Sequence, residues 1–327
     1  MIKIGVIGAG HLGKIHLKIL KNLPEFELVG LYDKDPDRAK AVAEELEVPA
    51  FDKLLDLVNV VDAVDIVTPT LAHYEVASQS IRRSKHVFIE KPVTHTVDEA
   101  RKLVALVREA GVVAQVGHVE RFNAAFLAVK HLIDRPMFIE IHRLALWNPR
   151  GTDVSVVHDL MIHDLDVVQH IVGSPIRSFS ASGVGVITDT PDIANVRLEF
   201  HNGCVANLTA SRISLKNMRK MRIFQKSAYL SIDFLDRKAE VVRIFDPSDA
   251  IPEGLNTLDV ELDAHRSKKL AIEVPDVPAV NAIELELKEF ARAINTRQDP
   301  AVSIYDATEA LQTAHAIAER IAQQALA

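Results

Sequence analysis

Cysteine is almost missing from this chain. Cys204 is the single one, so no intramolecular disulfide can form and a disulfide scaffold is excluded. It follows His201-Asn202-Gly203, a hairpin signal, and reads as a strand residue rather than a nucleophile. Positive charge is in short supply as well. Lys and Arg total 38 against 45 Asp and Glu, a net charge of −7. That balance argues against a nucleic-acid surface or a polybasic membrane anchor, since both concentrate cations to meet phosphates. An anionic substrate stays possible, because a few local cations suffice for one. There is no Cys cluster and no His-Glu-x-x-His, so no metal is expected. No apolar run reaches membrane-spanning length, and no basic leader precedes the first apolar run, so the expected location is the cytoplasm.

What is present is an ordinary globular composition, 48% apolar and 25% charged, in 327 residues, enough for two domains. The first third alternates β-rich runs with amphipathic helical stretches. Strands are expected at Ile2–Ile7, Phe26–Tyr32, 65–68 and 86–89, with helices at 11–23, 35–46 and 72–84. Thr96-Val97-Asp98-Glu99 is a capping-box pattern for a helix ended by Gly111. Residues 112–116 read as a sixth strand, completing a doubly wound parallel α/β fold of the Rossmann kind. Beyond residue 120 the pattern changes. A helix over 154–172 precedes β-branched and polar alternation from 176 to 274, which reads as a mostly antiparallel sheet. Helices over 279–295 and 305–324 close the chain. The expected division is a dinucleotide-binding domain at 1–120 and an α+β domain for substrate and oligomerisation at 121–327.

Gly8-Ala9-Gly10-His11-Leu12-Gly13 fits G-x-G-x-x-G between a strand and a helix. Gly8 permits the tight turn, Gly10 lets a pyrophosphate approach the backbone, and Gly13 lets helix and strand pack closely. The helix amino terminus then faces the phosphates. Asp33 ends the second strand, 20 residues beyond Gly13, where a carboxylate accepts from ribose hydroxyls and repels a 2′-phosphate. NAD is therefore expected over NADP, with Lys34 and Arg38 close enough to weaken the discrimination. The alternative is a structural glycine turn that binds nothing.

Three further features could carry chemistry. Glu90-Lys91-Pro92 sits beyond a strand end, where open parallel sheets bind ligands, although a Lys there is also an ordinary surface cation. Pro92 constrains that turn and is a candidate cis proline. Asp159 and His163 lie four apart on a helix, so the carboxylate can orient an imidazole that accepts a hydroxyl proton. A satisfied half-buried His, with His158, Asp164, Asp166 and His170 beside it, is the bland alternative. Finally, His118, Arg121 and Asn123 leave the last Rossmann strand and could meet substrate; Arg121 could equally pair with Glu120.

Together these residues resemble the glucose–fructose oxidoreductase / inositol dehydrogenase / rhizopine catabolism family, Gfo/Idh/MocA. The likeness rests on Gly8–Gly13, Thr68-Pro69-Thr70 with His73, Glu90-Lys91-Pro92, Gly117 with Arg121-Phe122, and Asp159 with His163. It implies a large open sheet in the second domain, often buried in a dimer or tetramer, and reversible oxidation of a sugar or polyol hydroxyl. It also implies Lys91 binding the reacting oxygen, His163 as acid/base oriented by Asp159, and Thr68, Pro69, His73 and Glu90 lining the nicotinamide. Residues 118–123 and 148–157 look most like the branch that oxidises UDP-N-acetylglucosamine at C3 ahead of transamination, with Arg121 and Arg150 as cations for a diphosphate. An inositol dehydrogenase and a catalytically silent coenzyme-sensing regulator are the alternatives.

Overall fold

The computed structural model describes residues 1–148, 154–252, 254–263 and 266–325. In chain order these form β1 (Ile2–Ile7), α1 (His11–Leu20), β2 (Phe26–Tyr32), α2 (Pro36–Leu46), α3 (Leu54–Val60), β3 (Ala63–Ile66), α4 (His73–Ile81), β4 (His86–Glu90), α5 (Val97–Ala110) and β5 (Ala114–Gly117). There follow α6 (Ala124–Val129), β6 (Phe138–Leu144), a π-helical turn (Val157–Met161) and α7 (Ile162–Val172). Next come β7 (Ile176–Val184), β8 (Ile193–Phe200), β9 (Val205–Ser211), β10 (Met218–Gln225), β11 (Ala228–Asp233), β12 (Lys238–Phe245), β13 (Thr257–Asp263) and β14 (Arg266–Glu273). The chain closes with α8 (Ala282–Thr296) and α9 (Ile304–Ala325). No described helix is long and apolar enough to cross a membrane.

Among the described residues the first sheet is five-stranded and parallel, in the order β2-β1-β3-β4-β5. Its strands are apolar on both faces because helices cover both, as parallel crossovers require. The strand expected at 112–116 forms as β5, but it is the fifth and not the sixth. Between α2 and β3 the chain makes only an isolated bridge, Leu31 with Ala50, held by Leu31 N donating to Pro49 O and Phe51 N to Leu31 O. It then turns into α3, whose Leu57 and Val58 are needed in the core. β4, which carries Glu90, is therefore the fourth strand of the chain. Local signals hold well here. Thr96 and Glu99 close a capping box on α5, and Gly111 ends that helix at φ +63°.

The second sheet has nine strands in the order β13-β14-β12-β11-β10-β6-β9-β8-β7. Its described pairs are antiparallel except β6 with β9. Alternate residues such as Val196, Leu198, Phe200, Leu208, Ile223 and Val241 are buried on one face, the period of two that a half-covered sheet needs. Cys204 sits at the β8–β9 turn just before the strand begins, and burial pushes its thiol up to about 11, so it stays protonated and inert.

The compact units differ from the division expected at residue 120. One contains Met1–Val119 with Asn281–Gln312, the other Glu120–Val280 with Thr313–Ala327. The reason is α8. Its Leu287, Phe290 and Ala291 enter the core of the first sheet, and the Phe290 ring lies 6.4 Å from Phe26 and 5.9 Å from Phe88. An apolar stripe on an amphipathic helix packs where a matching face is open, whatever its place in the sequence.

Candidate functional site

In the first unit a groove of about 1170 Å³ runs along the carboxyl ends of the parallel strands. Gly8, Gly10, His11, Leu12, Asp33, Lys34, Arg38, Thr68, Pro69, Glu90 and Lys91 all line it, and these were read from the sequence. Tyr32, Leu54, Leu71 and Glu75 also line it and carried no motif to mark them. Gly8 adopts φ +106°, and a Cβ there would stand 2.5 Å from the Val67 carbonyl oxygen. A Cβ on Gly13 would come 2.0 Å from the Gly8 oxygen, so this glycine lies behind the turn and lets α1 press against it. At Gly10 a Cβ would meet nothing within 4 Å, which leaves open space in front of the α1 amino terminus. Backbone donors with room before them suit a pyrophosphate. The cradle fits a dinucleotide.

Asp33 is buried and ties the groove together. Its Oδ2 accepts from Ala9 N at 2.7 Å and its Oδ1 from Asp35 N at 2.9 Å. Arg38 Nη1 stands 3.5 Å from Oδ1, while Nη2 donates to Asp35 Oδ2 at 3.1 Å. Asp33 thus sets both the turn and the local charge. Replacing Asp33 with Ala releases Arg38 to face a 2′-phosphate. The kcat/KM ratio for NAD over NADP is expected to fall by about tenfold or more, roughly 1.4 kcal/mol. An unchanged ratio in coenzyme kinetics would remove Asp33 from the discrimination.

At the far end of the groove the Lys91–Pro92 peptide is cis, and Lys91 is half-buried. The Glu90 carboxylate fixes this turn by accepting from Lys91 N at 3.2 Å. It lies over Gly117, where a Cβ would approach within 2.9 Å of Oε1. His73, expected at the nicotinamide, is instead an internal strut outside the groove lining. Its ring nitrogens face the Pro92 and Thr68 carbonyls at 2.8 and 2.9 Å, joining the two strand-end loops, and burial pushes its pKa down.

Sequence reasoning missed what lies beneath Glu90. His16 of α1 is fully buried, with Nδ1 donating to Asp65 Oδ2 at 2.9 Å and Nε2 3.3 Å from Glu90 Oε1. Burial alone would lower the His16 pKa, but Asp65 and Glu90 outweigh it and hold the ring well above its ordinary value. Glu286 of α8 completes the group. The one available signal was a His on the apolar face of α1, which reads as core.

In the second unit Asp159 lies in the π-helical turn and His163 in the first turn of α7, both half-buried. Their neighbours have other tasks. Asp166 receives Arg121 through Nε and Nη2, each at 2.7 Å. Asp164 receives Arg143 from β6, whose Nη1 also reaches Glu120 at 2.9 Å. His158 stacks edge-on against His315 with centroids 4.6 Å apart. Two residues expected to meet substrate are found in contacts within the second unit. Arg121 is buried and pairs with Asp166. Asn123 is the N-cap of α6, accepting from Ala125 N and donating to Glu120 and to the Phe234 carbonyl. His118 is fully buried beyond β5 in the first unit. Arg150 lies outside the described residues.

Comparison with known proteins agrees with this geometry. Residues 2–118 match the model of an oxidoreductase family with an NAD-binding Rossmann fold, and 115–230 match a GFO/IDH/MocA C-terminal domain. The chain is 35% identical over 304 residues to the UDP-N-acetylglucosamine 3-dehydrogenase of Acidithiobacillus ferrooxidans, covering 93% of this chain and 95% of that one. It is 26% identical to the myo-inositol 2-dehydrogenase of Thermotoga maritima, over 96% of this chain and 95% of that one. The solved structure of the Acidithiobacillus enzyme superposes with a TM-score of 0.87 at 32% identity, covering 98% and 97% of the two chains.

Proposed function

This chain belongs to the GFO/IDH/MocA oxidoreductase family, and from that membership we propose that it oxidises C3 of UDP-N-acetylglucosamine to a 3-keto sugar with NAD. The observation that carries the reading is the likeness to a UDP-N-acetylglucosamine 3-dehydrogenase along nearly the whole chain. The groove that fits a dinucleotide, with an acid at its ribose end and a lysine at the other, supports the chemistry.

Gly8, Gly10 and the α1 amino terminus hold the pyrophosphate, and Asp33 the adenosine ribose. When bound, NAD supplies the hydride acceptor. The Lys91 ammonium binds the reacting oxygen and lowers the cost of its becoming an alkoxide. His163 takes the hydroxyl proton as the C–H bond breaks and C=O forms, ending as imidazolium, and Asp159 orients and stabilises that cation. The positive charge of Lys91 and the acceptor role of His163 are complementary: one group holds the oxygen, the other removes its proton. The released proton leaves to solvent, and the reverse reaction uses the same groups in mirror order.

The protein acts as a homodimer or homotetramer through its large sheet. An apolar row crosses six strands of the uncovered face: Ile272, Val242, Tyr229, Phe224, Phe138 and Val205 pair in register. Phe224 and Ile272 are exposed, and such a continuous stripe marks an association surface.

The test is NADH formation followed by absorbance with UDP-N-acetylglucosamine, UDP-N-acetylglucosaminuronic acid, myo-inositol and glucose in parallel. Turnover of the first is expected. Turnover of inositol alone would replace this reading with a polyol dehydrogenase, and bound NAD without any turnover would favour a sensor.

A further inference from the structure

Behind the Glu90–Lys91 end of the groove, four ionisable groups meet, three of them fully buried and Glu90 reaching the groove wall. They come from four elements: His16 on α1, Asp65 on β3, Glu90 on β4 and Glu286 on α8. His16 Nε2 and the carboxylate oxygens of Glu90 and Glu286 lie within 4.8 Å of one another. Glu286 is fully buried, and neither of its side-chain oxygens has a hydrogen-bond partner. Gln115 of β5 reaches only the Glu286 backbone, its Nε2 donating to the carbonyl at 2.7 Å. Phe88 closes the cavity edge-on to His16 at 5.8 Å.

Fully ionised, the group would hold three carboxylates against one imidazolium, with two of those carboxylates facing each other without a donor between them. Buried like charges do not persist in that state; a proton or a cation must join them. His16 decides between the two. Nδ1 is hydrogen-bonded to Asp65, and Nε2 faces Glu90 Oε1 at 3.3 Å without a formed hydrogen bond; these two neighbours hold the ring as imidazolium, which has no lone pair for a metal. Burial, and after it the Glu90 charge, push the Glu286 pKa well above the ordinary carboxylate range.

We propose that Glu286 is a neutral carboxylic acid that donates its proton to Glu90, leaving the four groups with one net negative charge behind the nicotinamide end of the groove. Glu286 is then a positioning residue. Its proton holds the Glu90 carboxylate with one oxygen on His16 and the other on the Lys91 amide. The placement of the nicotinamide rests on the reading of the preceding section; the location of the proton does not.

The test has two arms on the full-length protein. In the first, glutamate labelled with ¹³C at the side-chain carboxyl is followed by NMR at neutral pH. One resonance is expected in the protonated-acid range, and it should vanish in Glu286→Gln. Its absence from the parent overturns the proposal. So does its disappearance on adding Zn²⁺ or Mg²⁺ to the parent, which would assign the cavity to a cation. In the second arm, affinities for NAD⁺ and NADH are measured against pH. Loss of the Glu286 proton adds negative charge beside the ring, which favours the oxidised, positively charged form. The NAD⁺-to-NADH affinity ratio should therefore rise severalfold at high pH in the parent and stay flatter in Glu286→Gln. Lys91, His16, Asp65 and Glu90 are present in both proteins, so the difference between the two profiles reports on Glu286. An acid resonance with the same pH profile in both proteins would uphold the proton and count against the placement of the nicotinamide.

Discussion

Replacing Lys91 with Ala is expected to lower kcat by about 10²–10⁴ while leaving NAD affinity within a few-fold of the parent. The separation of the two effects follows from how the turn is held. Glu90 accepts from the backbone amide of Lys91, not from its side chain, and Gly117 leaves that carboxylate its space. Truncating the side chain beyond Cβ therefore leaves the groove wall standing. The glycine turn and Asp33 are contributed by β1 and β2 and do not depend on it. In the proposed mechanism what disappears is the cation at the reacting oxygen, an interaction that strengthens as the oxygen gains charge and so acts on kcat more than on KM. His163→Ala should fall in the same range, and the double variant should cost far less than the two losses combined, as expected of groups assigned to one step. The measurement is steady-state NADH formation with UDP-N-acetylglucosamine, paired with NADH binding followed by fluorescence. A kcat within a few-fold of the parent for both variants would end the assignment.

The second large effect concerns stability. Arg143 is almost fully buried on β6, with Nε and Nη2 on Asp164 and Nη1 on Glu120. Arg143→Met fills similar volume but leaves Asp164 buried without its guanidinium, and Glu120 with only Arg219 at 3.6 Å and the Asn123 amide. Breaking a buried pair from one side costs about 3–5 kcal/mol, more than the pair contributes over an apolar replacement of both partners. The urea midpoint of the second unit, followed by circular dichroism, should fall accordingly. NADH binding at the glycine turn should survive, since Arg143 belongs to the other unit. The sign with pH is fixed too. Burial already raises the Asp164 pKa even with Arg143 beside it. Without the cation the Asp164 pKa in the folded state rises further, so the deficit is full at neutral pH and shrinks as acid protonates Asp164. A deficit independent of pH would mean that lost packing, not stranded charge, is responsible. Arg143→Lys should recover only part of the loss, because an ammonium cannot serve both carboxylates with a planar fork.

These two sites also mark what the sequence discloses. The glycine turn, Asp33, the capping box at Thr96–Glu99 and the strand-end Lys91 are written in short segments, where a residue and its structural reason are neighbours. The buried clusters are not. His16 and Asp65 are 49 positions apart, and Gln115 and the Glu286 carbonyl 171 apart. Nothing local marks a lone His on an apolar helix face as one of four sharing a cavity. Arg121 illustrates the trap of adjacency: Glu120 stands next to it in sequence, yet Nε and Nη2 donate to Asp166, a turn of helix beyond His163. Asn123 was legible as polar but not as a cap, because α6 is too short to show a period. The strand count failed for a related reason. A single bridge at Ala50 satisfies the edge of β2, and the following apolar residues serve the core as helix α3.

The return of α8 to the first sheet has a consequence for biogenesis. Ile2, Phe26 and Phe88 share their core with Leu287, Phe290 and Ala291, near the other end of the chain. During translation the coenzyme unit stays unfinished until α8, which follows all of β6–β14, has left the ribosome. A fragment stopped after β5 would present that unfilled apolar surface to chaperones and to other nascent chains. Vectorial synthesis thus makes this unit wait for a helix made after the whole of the second sheet.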